Sequence, residues 1–299
     1  MNRITLLDGG MGQELIRRSG QEPTPLWSAS IMLEQPQLVE SLHVDFIEAG
    51  ADVITINAYS STPERLQRHA SAHLFETLQI AACETALRAR EACAATGVRV
   101  AGCLPPLVAS YRPDLAPEES TSLQSYRALS NLQARYVDLF LCETMGSISE
   151  ALLAVTAAIE TGKPVWLAIT LDDRHPECLR SGEPLSRAMA AFRKLPLEAV
   201  LLNCSRPETI SQSWSMFAEA TGRPAGAYAN GFTSIDSLQP GGTVSSLEAR
   251  NDLGPTAYAD FVMDWVEQGA TIVGGCCEVS PAHIACIRDR LAGRATAPH

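Results

Sequence analysis

The sequence predicts a single-domain (β/α)8 TIM barrel over residues 1–299, and three observations carry that expectation. Eight short apolar runs alternate with amphipathic stretches from one end of the chain to the other. Most runs are rich in Val, Ile and Leu without polar alternation, the pattern of parallel strands covered on both faces. The longest irregular stretches, residues 20–27, 104–119 and 231–252, each follow a run, where a barrel keeps its active-site loops. An open doubly wound sheet is the structural alternative.

The strand candidates are residues 4–7, 53–56, 98–102, 137–142, 165–169, 199–202, 225–228 and 271–273. Between them lie helical patterns at 37–48, 72–96, 123–134, 149–160, 184–193, 209–220 and 255–268, and a last one at 280–291 closes the series. Ser280-Pro281 supplies that last helix with an N-cap and a first-turn proline. No linker, charge run or low-complexity tract divides the chain. The segment 104–119 holds Pro105, Pro106, Pro113 and Pro117 and reads as a stiff lid.

Composition narrows the function. With 46% hydrophobic residues in 299, the chain can bury one large core. Its 23 basic and 34 acidic residues give a net charge of −11, which argues against nucleic acid and anionic membranes as partners. Nine cysteines without a secretory leader point to a reducing compartment, where thiols serve as metal ligands or filler and not as disulfides. No apolar run approaches the roughly eighteen residues of a membrane helix. The expectation is a soluble, cytoplasmic protein.

In a barrel the chemistry gathers at the carboxyl ends of the strands. Cys204 follows the sixth run and the adjacent pair Cys276-Cys277 follows the eighth. Three thiolates converging from two strands, with an open fourth position, describe a Zn2+ site that accepts a thiol substrate as its last ligand. The plainer reading is three buried core cysteines. The first run ends in Asp8-Gly9-Gly10-Met11-Gly12, whose backbone amides at a helix start form a cradle for a carboxylate. That spacing fits neither the dinucleotide fingerprint nor the phosphate loop. Asn57 ends the second run. Glu143 ends the fourth, and a lone acid there suits the ammonium of an amino acid. Asn230 ends the seventh, where its amide oxygen could fill the fourth metal position. Cys83, Cys93 and Cys286 fall on helical patterns, Cys103 and Cys142 flank strand ends, and His43 and His283 read as packing or capping residues.

Asp8-Gly9-Gly10-Met11-Gly12, Asn203-Cys204 and Gly274-Gly275-Cys276-Cys277 together resemble the homocysteine S-methyltransferase family, over nearly the whole chain from Leu7 to about Ile287. The resemblance implies a zinc-dependent barrel that methylates the homocysteine thiol to methionine. Cys204, Cys276 and Cys277 would be the metal ligands, while Asp8, Gly9, Gly10, Asn57, Glu143 and Asn230 would hold substrate. Leu26-Trp27-Ser28-Ala29, Pro36 and residues 43–51 resemble the branch that takes its methyl from S-methylmethionine or S-adenosylmethionine. Cys103-Leu104-Pro105-Pro106, Ala229, Gly231-Phe232-Thr233 and Glu278 depart from the family pattern around the donor side. Another small thiol or a selenol such as selenocysteine or selenohomocysteine is an alternative acceptor, and a non-catalytic zinc-binding or redox-sensing barrel is an alternative class. With only residues 292–299 after the last helix, the chain lacks the oligomerisation extension of the betaine-dependent branch, so a monomer or weak homodimer is expected.

Overall fold

The computed structural model describes residues 3–20, 28–69, 71–238 and 247–296. Its eight strands are β1 (Thr5–Leu6), β2 (Val53–Thr55), β3 (Arg99–Leu104), β4 (Leu139–Met145), β5 (Val165–Ile169), β6 (Ala199–Asn203), β7 (Ala225–Tyr228) and β8 (Ile272–Val273). All neighbours pair in parallel, in the order β1-β8-β7-β6-β5-β4-β3-β2, and a parallel bridge from Leu7 to Val53 joins the two ends. A doubly wound sheet would reverse its strand order at a switch point. This one does not, so it is a barrel.

The β1–β2 seam is short of backbone pairing, and two aspartates supply what the strands do not. The Asp52 carboxylate accepts the Leu6 N–H at 2.9 Å, and the Asp8 carboxylate accepts the Thr55 N–H at 2.7 Å. Two backbone bonds complete the join, Asp8 N–H to the Val53 carbonyl at 3.0 Å and Asp52 N–H to the Leu6 carbonyl at 2.7 Å.

Eleven α-helices accompany the strands among the described residues: α1 (Met11–Ser19), α2 (Ser28–Glu34), α3 (Pro36–Glu48), α4 (Pro63–Arg68), α5 (Phe75–Ala92), α6 (Glu119–Gln133), α7 (Ile148–Ile159), α8 (Leu185–Phe192), α9 (Pro207–Thr221), α10 (Pro255–Glu267) and α11 (Pro281–Thr296). Their ends follow from the sequence. Proline opens α3, α4, α9 and α10, where its missing N–H costs nothing. Ser147 caps α7 by accepting the Glu150 N–H at 3.2 Å. The core has two parts. Leu139 and Leu141, Trp166 and Ala168, and Ala199 and Leu201 point into the barrel, while Phe140, Leu167 and Val200 between them pack outward under the helices. Both faces of each strand are therefore apolar, which is why these runs carry no polar alternation.

Several elements differ from the sequence expectation. α1 was expected only as a helix start after the glycine-rich turn, and α2 and α4 were not anticipated, since they have 7 and 6 residues and too few turns to build a long period. The pattern at 72–96 divides into a 3-10 turn at Ala72–Leu74 and α5, which ends at Ala92. β3 and β4 run on to Leu104 and Met145. Of the irregular stretches, residues 21–27, including Leu26 and Trp27 of the family-like segment, and 239–246 lie outside the described residues.

His43 in α3 is fully buried, and neither ring nitrogen has a hydrogen-bond partner. Burial pulls its pKa down to about 4. The unfolded chain therefore binds a proton that the folded one refuses between about pH 6.5 and 4, and stability is lost as pH falls through that window. Between pH 7 and 4.5 this group should cost about 2.5 kcal/mol. Urea unfolding of the parent and His43→Leu at both pH values measures it. The variant should lose less stability on acidification by about that amount, and equal losses would show that His43 titrates normally.

Candidate active site and metal centre

A cavity opens at the carboxyl ends of the strands, and Asp8, Asn57, Glu143, Cys204, Cys276 and Cys277 all line it. The ligand atoms of the three cysteines lie within 4.8 Å of one another, the one such metal-competent group among the described residues. Backbone bonding fixes each cysteine. Cys204 follows β6 in a left-handed conformation, φ 49°. Its N–H donates to the Tyr228 carbonyl at 3.1 Å, and its own carbonyl accepts from the Asn230 carboxamide at 2.9 Å and the Thr170 hydroxyl at 3.3 Å. After β8, Gly275 N–H donates to the Asp8 carbonyl and Cys276 N–H to the Ala229 carbonyl, each at 3.0 Å. Gly231 N–H closes on the Cys277 carbonyl at 2.9 Å.

Cys204 and Cys276 are joined as a disulfide, Cα to Cα 5.7 Å, and Cys277 stays free. This corrects the expectation that the chain carries thiols and no disulfide. The physical reason is proximity: sulfurs gathered from two strands closely enough to share a metal are also within bonding reach of each other. The residues fit a metal. Three sulfur donors converge without a fourth Cys, His, Asp or Glu beside them among the described residues, and burial pushes the Cys277 thiol up to about 12. An anionic sulfur there needs a cation beside it. The Tyr111 phenol, from the proline-rich loop, donates to the Cys204 sulfur at 3.3 Å, and its own backbone is left-handed at φ 63°.

The glycines have a steric part besides the cradle expected of them. A Cβ on Gly9 would lie 2.2 Å from the Val279 carbonyl oxygen, and one on Gly10 would lie 2.6 Å from the Cys276 carbonyl oxygen. Glycine is therefore needed for the two motifs to interlock. The Gly10 N–H is itself spent on the Val279 carbonyl at 2.9 Å. The open donors are the first-turn amides of α1, whose N-cap Gly10 brings no capping side chain.

Asp8 and Glu143 are both buried at the cavity wall, and burial raises them to about 8 and about 7. Glu143 accepts the Cys103 thiol proton at 3.0 Å, and each acid's charge is felt by its neighbours. A register shift between Cys142 and Met145, with Thr144 at φ 60°, aims Glu143 inward. Asn203 holds that bulge from the next strand but one: its Oδ1 accepts the Thr144 N–H at 3.1 Å and its Nδ2 donates to the Thr144 hydroxyl at 2.9 Å. Sequence reasoning had no signal for this role, nor for Tyr111. Asn57 lines the cavity and its Nδ2 donates to the Ser28 carbonyl at 3.4 Å. Asn230 does not line it. Its Nδ2 clamps the Cys204 carbonyl and its Oδ1 accepts the Phe232 N–H at 3.2 Å, so it braces the cysteine turn. Neither His43 nor His283 approaches the site; His283 stacks edge-on against Tyr258 and bonds Ser280 at the head of α11.

Comparison with known proteins agrees with this geometry. The family model for homocysteine S-methyltransferase matches residues 5–291. The homocysteine S-methyltransferase of Escherichia coli K12 is 29% identical, with 96% of this chain and 95% of that one covered. Homocysteine S-methyltransferase 4 of Zea mays is 30% identical over 94% and 87%. A selenocysteine Se-methyltransferase of Brassica oleracea var. italica is 26% identical over 97% and 89%. Crystal structures of the E. coli homocysteine methyltransferase MmuM in metallated and oxidized forms each superpose with a TM-score of 0.80 at 27% identity, covering 96% of both chains. The barrel, its converging cysteines and a match spanning residues 5–291 place this chain in the homocysteine S-methyltransferase family.

Proposed function

We propose that the chain is a Zn2+-dependent enzyme that moves a methyl group from a sulfonium donor, S-methylmethionine or S-adenosylmethionine, to the thiol of homocysteine, giving methionine. The observation that carries the metal reading is the convergence of the Cys204, Cys276 and Cys277 sulfurs with no fourth Cys, His, Asp or Glu beside them among the described residues. Zn2+ held there would stabilise a substrate sulfur as its thiolate at neutral pH. The chain's own residues do the rest. Glu143, with Asp8 behind it, binds the substrate ammonium, and the first-turn amides of α1 take its carboxylate. Gly9 and Gly10 let the cysteine turn approach that helix start, and Asn57 furnishes a polar wall. Anchoring both ends of the amino acid fixes where its sulfur sits. A new sulfur–carbon bond forms from the acceptor's electron pair, the donor's carbon–sulfur bond breaks with its pair going to sulfur, and the donor's positive charge is lost. Much of the acceleration comes from holding the two reactants in line.

A selenol acceptor is chemically equivalent at this site, and the selenocysteine Se-methyltransferase relative favours keeping it as the second reading. No helix among the described residues is long and apolar enough to cross a membrane. The fully reduced cysteine trio that metal binding requires fits a reducing cytoplasm. Large hydrophobic side chains exposed among the described residues are Leu33 and Met216, each at 40%, which supports a monomer or weak homodimer.

Reduced protein loaded with Zn2+ should form methionine from homocysteine and S-methylmethionine or S-adenosylmethionine, followed by chromatography. Absence of product with either sulfonium, and with betaine and dimethylsulfoniopropionate, would sink the reading.

Metal and disulfide compete for two of the same sulfurs. Denatured, unreduced protein should therefore titrate 7 free thiols and the reduced protein 9, and only the reduced form should take up one Zn2+ per chain. Cys276→Ala should bind much less Zn2+ than the parent by elemental analysis; equal content would remove Cys276 from the ligand set.

Glu143→Gln should keep its Zn2+ yet raise the homocysteine KM roughly tenfold or more, the usual worth of a charged hydrogen bond. Unchanged homocysteine kinetics would return Glu143 to a purely structural role.

A further inference from the structure

The cavity's charge is divided between two places. Its acids, Asp8 and Glu143, belong to the strand ends, whereas α4 brings Arg65, Arg68 and His69 to the wall formed by the loops beyond them. Several arginines of this acidic chain pair with carboxylates, Arg180 with Asp173, Arg250 with Glu208 and Arg127 with Glu160, while others such as Arg223 bond only backbone carbonyls. Arg65 has no such partner. Among the described residues no carboxylate lies within ion-pair distance of it or of Arg68, and the Arg65 Nε is buried without any hydrogen bond. Its Nη2 donates to the Pro106 carbonyl at 3.0 Å, and its guanidinium carbon lies 5.3 Å from the centre of the Tyr59 ring. The Tyr59 hydroxyl is in turn hydrogen-bonded to Ser110 at 2.8 Å. The guanidinium is thus held in position by a carbonyl and a ring with no carboxylate in ion-pair contact among the described residues, although its charge is felt by the Glu150 carboxyl.

A positive charge removed from water without an anion is costly unless something else supplies the anion. In an enzyme whose two substrates both enter this cavity, the missing partner is a substrate carboxylate. The amino-acid end of the acceptor already has its partners at the strand ends, in Glu143 and the head of α1. The α4 wall lies outside them, with Arg68 exposed and its Nη1 on the Val108 carbonyl at 3.4 Å. A donor must lie there too if its methyl is to point inward at the acceptor sulfur. Tyr59, Tyr111 and Phe232 line the same cavity and present the aromatic faces that suit an onium cation.

We propose that Arg65, seconded by Arg68, is the recognition site for the carboxylate of the methyl donor, so that the donor is an onium compound bearing a carboxylate at its other end. This rests on the methyl-transfer reading above. The assignment accounts for a feature of the loop after β2 that the acceptor and the metal leave unexplained. It also predicts that a planar, two-pronged donor matters there, because a guanidinium can meet a carboxylate through two parallel hydrogen bonds and an ammonium cannot.

The test compares S-methylmethionine with its methyl ester, which keeps the sulfonium and ammonium but carries no anionic group. In the zinc-loaded parent the acid should be preferred, as a ratio of kcat/KM. In Arg65→Gln that ratio should fall roughly tenfold to a hundredfold, the worth of a charged hydrogen-bond pair, with zinc content unaltered. Arg65→Lys, which keeps the charge but not the fork, should lie between the two. Dimethylsulfoniopropionate and betaine serve as further arms that separate amino-acid donors from other onium carboxylates; each should show the same dependence on Arg65 where it is used. Calorimetric titration of the acid and the ester into parent and Arg65→Gln reads the same preference without turnover. It keeps this proposal testable even if none of the donors transfers its methyl, an outcome that would overturn the methyl-transfer reading instead. An acid-to-ester ratio equal in parent and Arg65→Gln, by kinetics and by binding, overturns the assignment. So does a rise confined to the homocysteine KM, which would give Arg65 to the acceptor.

Discussion

The seam between β1 and β2 is the constraint on which the site depends. β1 is two residues long, and one bridge, Leu7 to Val53, brings it against β2. Backbone pairing of that extent would be marginal by itself. Two carboxylates extend it, Asp52 reaching back to the Leu6 N–H and Asp8 reaching forward to the Thr55 N–H. Asp8 thus serves twice, since one of its oxygens closes the barrel while its side chain lines the cavity. Its carbonyl also receives the Gly275 N–H, which sets the height of the Cys276-Cys277 turn. Closing the barrel and placing two of the three sulfurs are therefore one event.

Local strain gathers at the same mouth. Among the described residues, five other than glycine have positive φ, namely Ala94, Tyr111, Thr144, Cys204 and Glu278. Four of them belong to the site, and only Ala94 lies elsewhere, just past the end of α5. Such conformations cost on the order of 1–3 kcal/mol each and persist where surrounding bonds over-determine them. The surroundings are visible here. Asn203 holds Thr144 at both its amide and its hydroxyl, and Asn230, Thr170 and the Tyr228 carbonyl hold the backbone of Cys204. Asn203 and Asn230 thus brace the turns that carry an acid and a sulfur to the cavity.

This division explains what the sequence made legible. The strands were legible because burial on both faces demands unbroken runs such as Val165–Ile169, and the cysteines because their chemistry resides in the residue type itself. The short helices were not, since α4 has six residues and only Leu66 fully buried, too little to write a period. The bracing role of Asn230 was not legible, because an amide at a strand end looks alike in sequence whether or not it also holds a turn, and the hydrogen bonds reveal that role. Gly9 and Gly10 read as an anion cradle for the same reason, although the close approach of the Cys276–Val279 segment is what excludes a side chain there. Arg65 and Tyr111 carry no signature at all, because their meaning lies in what they are or are not paired with across a gap of chain.

The two buried acids show how such a site selects its occupant. Burial raises Asp8 to about 8 and Glu143 to about 7, each in the direction that keeps a proton on an empty, poorly solvated carboxyl. An occupant bearing an ammonium reverses that balance, because a positive charge beside them favours the ionised form. A neutral thiol of the same shape offers no such compensation. On the proposed reading, these electrostatics favour an amino-acid thiol over a simple thiol. The positive charges on α4, which follows β2, line the same cavity as these acids, and Tyr59 beside them feels both Arg65 and Glu143, so the cavity offers both signs of charge to an occupant.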